Sequence, residues 1–184
     1  MSRNYQAYER LKSTKGIVRE INQTSRGYYT IVEFDEEEPW SSWIVELPWK
    51  MLEDRIREKG EGTVLRSVTV TRRSESGAAT ALEAVSDKDS CIIENEYEIR
   101  KFLAPVNCMI TEKDGTETAG GSLLPSAYFE LERTQNGNLQ VRGKGYGHGV
   151  GMSQTGADKM AEQGYDYREI LDYFFRNITV ENLG

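Results

Sequence analysis

Five glycines surround the only histidine of the chain, His148, within the nine residues from Gly143 to Gly151, in the stretch GKGYGHGVGMSQTGA. Glycine tolerates positive φ and lets a ligand or another main chain come close, at a cost in conformational entropy, so a cluster of this density implies a loop shaped for a purpose. An imidazole flanked by bare main chain is accessible, and three chemistries suit it. It could act as a general base near neutral pH with Ser153 as the nucleophile. It could hydrogen-bond a bound ligand or support catalysis by another group. It could also bond backbone groups and simply hold a tight loop.

A strand, a glycine loop and a capped helix also build phosphate sites, because free N–H groups at a helix start attract anions. The specific signatures are missing here: no Lys-Ser/Thr pair closes a P-loop, and no βαβ unit with an acidic residue about 20 positions later follows the Gly-x-Gly start. A nucleotide site is not expected.

The elements that must hold the loop are legible on both sides of it. Upstream, Phe129 and Leu131 alternate with Glu130 and Glu132, Asn136-Gly137 turns the chain, and Leu139 and Val141 alternate with Gln140 and Arg142. This is a β-hairpin that delivers the chain into the loop. Downstream the hydrophobic period changes from two to about 3.6. Ser153 can cap a helix whose apolar face is Ala157, Met160 and Ala161, with Gly164 ending it. Asp166 can cap a second helix, with Glu169 in the capping-box position and Tyr167, Ile170, Leu171 and Phe174 on one side. NITVENL reads as a final strand.

Nearer the start, YQAYERLK is a short helix candidate, GIVREI and YYTIVEF read as strands, and the acidic run Glu36 to Glu38 as a solvated turn. SSWIVEL is a further strand. Pro48 fits the first position of a helix that stops at Gly60 and places Trp49, Leu52 and Ile56 on one face. TVLRSVTVTRRSESG and ATALEAVSD form a hairpin turning at Ser76-Gly77, and CIIENEYEIRKFLAP a strand running into a helix that ends before Pro105. The whole predicts an α+β fold, mostly antiparallel strands and hairpins with several short helices, in a single compact domain spanning residues 1–184.

Composition narrows the function classes. With 184 residues, 38% hydrophobic, the chain can bury one real core. A net charge of −7 with no long basic run argues against nucleic acid and anionic membrane as partners. No apolar run approaches the roughly 20 residues that span a bilayer. MSRNYQAYERLK has neither an apolar segment nor a small-residue cleavage site, so no export signal is expected in this chain. Cys91 and Cys108, with one histidine, match no zinc pattern, so no metal or cofactor is expected. Buried free thiols or a disulfide account for the pair.

GKGYGHGVGMSQTGADKMAEQGYDYREILDYFF resembles the C-terminal signature of the stage II sporulation protein D family (SpoIID/LytB domain). The family pattern runs glycine, any residue, glycine, aromatic, then GHGVGMSQ, any residue, GA, and the match continues through Ala161, Gly164, Tyr167, Ile170, Leu171 and Tyr173. Weaker agreement lies upstream at Leu124 to Ser126 followed by Phe129, at Arg100, and at RRSESG, with Ala78 where the family usually has arginine. The resemblance covers about residues 40–184 and is strongest over 143–175, so the chain looks like the C-terminal half of such a domain.

That resemblance implies a cell-wall function outside the cytoplasm, at the envelope or sporulation septum, with peptidoglycan glycan strands as substrate and a cell-wall amidase as a partner. Enzymes of the family are lytic transglycosylases that break the MurNAc–GlcNAc β-1,4 bond with one glutamate, acting first as acid and then as base on the sugar's 6-hydroxyl. The family's glutamate lies in a Val-x-x-Glu-Met-Pro block, and no Glu-Met pair occurs in this sequence. Glu130, Glu132 and Glu162 sit where the pattern predicts solvent, and a working acid needs burial to raise its pKa, so no catalytic residue is assigned. The implied substrate-binding set is Tyr146, Gly147, His148, Gly149, Gly151, Ser153 and Gln154, with Tyr146 stacking on a sugar face. The alternative is a non-catalytic wall-binding or amidase-enhancing module.

Overall fold

Trp43, Val45 and Leu47 are buried while Ile44 and Glu46 between them face outward, the period-two pattern that makes residues 43–47 a strand. The computed structural model describes residues 16–18, 38–74, 76–149, 151–175 and 178–182. In chain order the elements are β1 (Gly16–Val18), a 3-10 turn (Pro39–Ser41), β2 (Trp43–Leu47), α1 (Trp49–Glu58), β3 (Leu65–Arg73), β4 (Ala79–Ser86) and β5 (Ser90–Glu94). They continue as α2 (Glu96–Phe102), β6 (Met109–Glu112), β7 (Glu117–Ala119), β8 (Phe129–Arg133), β9 (Leu139–Gly143), α3 (Gln154–Glu162), α4 (Tyr167–Phe174) and β10 (Val180–Asn182). All strand pairings among the described residues are antiparallel, so the fold is α+β as the sequence pattern predicts.

The chain divides into two compact units, Glu37–Gly149 and Met1–Glu36 with Val150–Gly184. In the first, one sheet has the strand order β7-β6-β2-β9-β8 and a second the order β3-β4-β5. Both contribute to one apolar core, in which Trp43 and Val141 meet Leu52 and Ile56 of α1, Leu82 of β4 and Ile99 of α2. Each such side chain removed from water contributes about 1.5–3 kcal/mol. Trp49 is only half-buried; its Nε1 donates to the Leu65 carbonyl at 3.0 Å and the Arg133 guanidinium lies 3.2 Å above its ring.

Helix α1 begins one residue later than the sequence suggests. Pro48 has the fixed φ of −55° that suits a helix, but its ψ of 127° is extended, which makes it the residue before the first turn. The stop is as expected: Gly60 at φ +76° lets its N–H reach the Arg57 carbonyl and that of Glu61 the Ile56 carbonyl, both at 2.9 Å. The hairpins β3–β4 and β8–β9 and the β5–α2 pair form where the alternation places them. Strands β6 and β7 are an addition to that reading. Four and three residues of alternation are too few to stand out, although Asp114-Gly115 between them is a turn signal. Cys91 and Cys108 are free thiols, half-buried and buried. Burial pushes both thiols up, away from thiolate.

In the second unit β1 pairs with β10, Gly16 opposite Asn182. Helices α3 and α4 enclose Ala157, Met160 and Ile170. Gly164, at φ +97°, closes α3 through bonds from its own N–H to Ala161 and from the Tyr165 N–H to Met160, both 3.1 Å. Asp166 and Glu169 form the expected capping box on α4. The helix candidate in YQAYERLK, the whole YYTIVEF strand and all but Glu38 of the acidic run lie outside the described residues. Among the described residues no helix is long and apolar enough to cross a membrane.

Candidate functional site

Gly143 is the last residue of β9 and lies opposite Trp43 of β2 and Phe129 of β8. The Trp43 indole rests on its α-carbon, and a Cβ there would fall 2.0 Å from Cζ2. The same ring, 1% exposed, donates from Nε1 to the Gly145 carbonyl at 2.9 Å. One tryptophan thus sets both where the strand ends and how the loop departs.

The segment Leu124–Tyr128 holds the loop from its other side. Ser126 Oγ donates to the Lys144 carbonyl at 2.6 Å, the Lys144 N–H to the Tyr128 carbonyl at 2.8 Å, and the Gly147 N–H to the Pro125 carbonyl at 2.8 Å. Gly145, Gly147 and Gly149 have φ of +71°, +128° and +75°. Such φ values are a backbone conformation that L side chains rarely adopt, which is why glycine stands at these three alternate positions. Tyr146 is 63% exposed and His148 is exposed too. Trp40 braces the Tyr146 ring edge-on, with centroids 4.9 Å apart and planes at 60°.

Residues distant in sequence secure this seat. Arg100, buried on α2, donates from Nε to the Leu124 carbonyl at 2.9 Å and from Nη2 to the Pro125 carbonyl at 3.3 Å. Its Nη1 pairs with Glu96 at 3.1 Å. Helix α2 is tied to α1 in turn, because Arg55 donates to the Phe102 and Ala104 carbonyls at 2.5 and 2.6 Å. Under Gly149 lies the Tyr128 ring: a Cβ on Gly149 would be 2.8 Å from its Cε2. The Tyr128 hydroxyl is bonded to Ser76 Oγ at 3.0 Å, and Ser76 to Ser74 at 2.8 Å. Burial pushes the Tyr128 phenol up, the Ser76 bond pulls it back, and Glu96 adds to the rise.

Of the seven residues singled out from sequence, Tyr146, Gly147, His148 and Gly149 therefore share one loop of one unit. Gly151, Ser153 and Gln154 belong to the other. Ser153 is 4% exposed and its hydroxyl accepts the Gly156 N–H at 3.0 Å as the cap of α3, a role that does not suit a nucleophile. Gln154 is exposed on the first turn of that helix. Glu130, Glu132 and Glu162 are exposed, the first two beside Arg73 and Arg142 at 3.0 and 3.8 Å. A buried carboxyl sits elsewhere, on Glu112, which accepts a bond from Thr118 and lies across from Trp43 in the β6–β2 register. Among the described residues no group of three His, Cys, Asp or Glu could hold a metal ion.

Nothing in local spacing links Trp43, Trp40 or Tyr128 to the loop. Leu124 to Ser126, Arg100 and the Ser74-to-Gly77 turn were visible only as scattered similarity. In the structure they form a connected support for Gly145, Gly147 and Gly149.

A family model described as a domain of unknown function, DUF8618, matches residues 23–151. Over 71 residues the chain is 41% identical to an uncharacterized protein of Brachyspira hyodysenteriae, covering 39% of this chain and 19% of that protein. It is 44% identical over 57 residues to stage II sporulation protein D of Bacillus amyloliquefaciens, covering 31% and 16%. The amidase enhancer of Bacillus subtilis is 38% identical over 61 residues, covering 33% and 8%. The chain thus spans less than a fifth of the length of each of these relatives. Its relationship to stage II sporulation protein D is established over about a third of its own sequence.

Proposed function

We propose, for a chain that belongs to the DUF8618 family and is related in part to stage II sporulation protein D and amidase enhancer, that it works at the cell wall by binding peptidoglycan glycan strands through its glycine loop. Tyr146 stacks on the apolar face of a sugar ring, His148 hydrogen-bonds sugar hydroxyls, and the bare main chain at Gly147 and Gly149 lets the strand approach closely.

The exposure of Tyr146 carries this reading. A large ring held in water costs solvation, yet here Trp40 braces it and the loop beneath it is pinned at Gly145 and Gly147. A side chain already ordered before binding loses little entropy when a ligand arrives. Sugars present flat C–H faces between hydroxyls, which suits an aromatic face beside an imidazole.

In this reading the chain supplies the glycan-binding part of a lytic transglycosylase whose glutamate comes from elsewhere, since the exposed Glu130, Glu132 and Glu162 lack the burial a general acid needs. A second reading, a non-catalytic module that enhances an amidase, is favoured by the similarity to the amidase enhancer of Bacillus subtilis. Binding of purified glycan strands by the full chain tests the shared premise. Tyr146→Ala is expected to weaken binding about tenfold, equivalent to about 1.4 kcal/mol, and His148→Ala to weaken it less. Both variants binding like wild type with unchanged melting would end the proposal. Mass spectrometry of released fragments separates the two readings, because only the transglycosylase leaves 1,6-anhydro ends.

A further inference from the structure

The geometry points to Arg100 as the positioning residue of the loop, acting on Tyr146 and His148 through the Pro125 carbonyl. That carbonyl is a shared acceptor: it receives Arg100 Nη2 at 3.3 Å and the Gly147 N–H at 2.8 Å. Gly147 is the residue between Tyr146 and His148, so whatever fixes Pro125 fixes the point from which both side chains leave. Proline has no N–H of its own, and the carbonyl is the handle by which its main chain can be held.

Arg100 is suited to that task by its fork. Its Nε takes the Leu124 carbonyl at 2.9 Å while Nη2 takes the next carbonyl along, so one planar group sets two successive peptide units. The Leu124 N–H returns a bond to the Arg100 carbonyl at 3.1 Å, which clamps Leu124 on both of its backbone groups. Glu96, four residues earlier on the same helix, holds the third arm of the fork at 3.1 Å. A charged donor to a carbonyl is stronger than a neutral one, and with Arg100 only 8% exposed water cannot easily replace it. Lysine carries the charge but not the planar fork, so its three rotatable donors are not preset to the spacing of two successive carbonyls. The inference rests on the glycan-binding reading for what the loop contacts, and on the hydrogen-bond geometry alone for how the loop is held.

Amide hydrogen exchange and glycan affinity, measured on the full chain carrying Arg100→Lys or Arg100→Met, test it together. The Gly147 amide is expected to exchange at least about tenfold faster in both variants, while the Asp87 amide, bonded to the Val64 carbonyl at 2.9 Å in the same unit, keeps its wild-type rate. Glycan Kd is expected to rise about tenfold with methionine and less with lysine. Equal acceleration at both amides, or full protection of Gly147, overturns the inference. If Arg100→Met does not fold, Arg100→Lys gives the same two-amide comparison by itself. A Gly147 amide loosened selectively in a protein that binds no glycan in any form refutes the glycan reading and leaves the positioning role standing.

Discussion

Replacing Gly143 by alanine places a methyl group inside the Trp43 indole. The added Cβ falls 2.0, 2.3 and 2.4 Å from Cζ2, Cε2 and Cη2, where ordinary carbon contacts lie near 3.5–4.0 Å. The ring must retreat by roughly 1.5 Å, yet it is 1% exposed and packed in the core, so there is no space behind it. Forcing an extra methyl group into such a site costs about 1–3 kcal/mol. The retreat also breaks the 2.9 Å bond from Nε1 to the Gly145 carbonyl, and a buried polar group left unpaired adds about 1–3 kcal/mol. Alanine's smaller unfolded-state entropy returns at most about 1 kcal/mol. A net loss of about 3 kcal/mol corresponds to a fall of about 6–12 °C in Tm for a chain of this size. All three tryptophans, Trp40, Trp43 and Trp49, lie in the Glu37–Gly149 unit, so thermal melting followed by tryptophan fluorescence reads that unit alone. Gly121→Ala is the control: the site is exposed, nothing lies within 4 Å of a Cβ, and its effect is expected to stay within about 0.5 kcal/mol. A Gly143→Ala protein that melts with the control and keeps the wild-type emission maximum would refute the argument that the indole seat requires a glycine.

Three further outcomes follow from other sites. Asp87 accepts the Val64 and Thr63 N–H groups at 3.0 and 2.8 Å and the Thr63 hydroxyl at 2.8 Å, bonds that hold its carboxyl well below the usual carboxylate range. A depressed folded-state pKa contributes stability above the unfolded value near 3.9, lost as pH falls through the folded value; Tm measured from pH 5 downward should therefore decline less steeply in Asp87→Asn than in wild type. Asp166→Ala removes the capping-box side chain that accepts the Arg168 and Glu169 N–H groups at 2.8 and 3.0 Å, and should cost about 1 kcal/mol, read as lost protection of the first α4 amides. Native-state alkylation should label Cys91 before Cys108 and both slowly at pH 7, because the first is half-buried, the second buried, and burial disfavours each thiolate; equal and rapid labelling would contradict that order.

How much of this was legible beforehand depended on the range of the interaction. The β8–β9 hairpin, the Schellman stop at Gly164 and the Asp166–Glu169 box depend on residues within a few positions of one another, and the sequence displays them directly. Pro48 precedes the first turn by one residue because its φ satisfies a helix while its extended ψ does not. Strands β6 and β7 escaped notice since their pairing partners, not their own pattern, make them strands. Within the candidate site the glycine spacing announced a shaped loop and an accessible histidine. The Ser153 cap is legible in the sequence as well; that its hydroxyl is buried in that role is not.

Residue order alone therefore determined the hydrophobic periods, the caps, the turns and the presence of a glycine-rich loop, because backbone preference and nearest-neighbour chemistry act over a few residues. Tertiary structure decided which distant groups meet that loop. Trp43 lies about a hundred positions upstream of Gly145 and Arg100 some 25 before Pro125, yet each reaches a carbonyl at the loop's base. No local pattern encodes such a pairing: it exists only once β2 has paired with β9 and α2 has packed into the core, since hydrogen bonds are made by atoms about 3 Å apart and not by residues a fixed number apart.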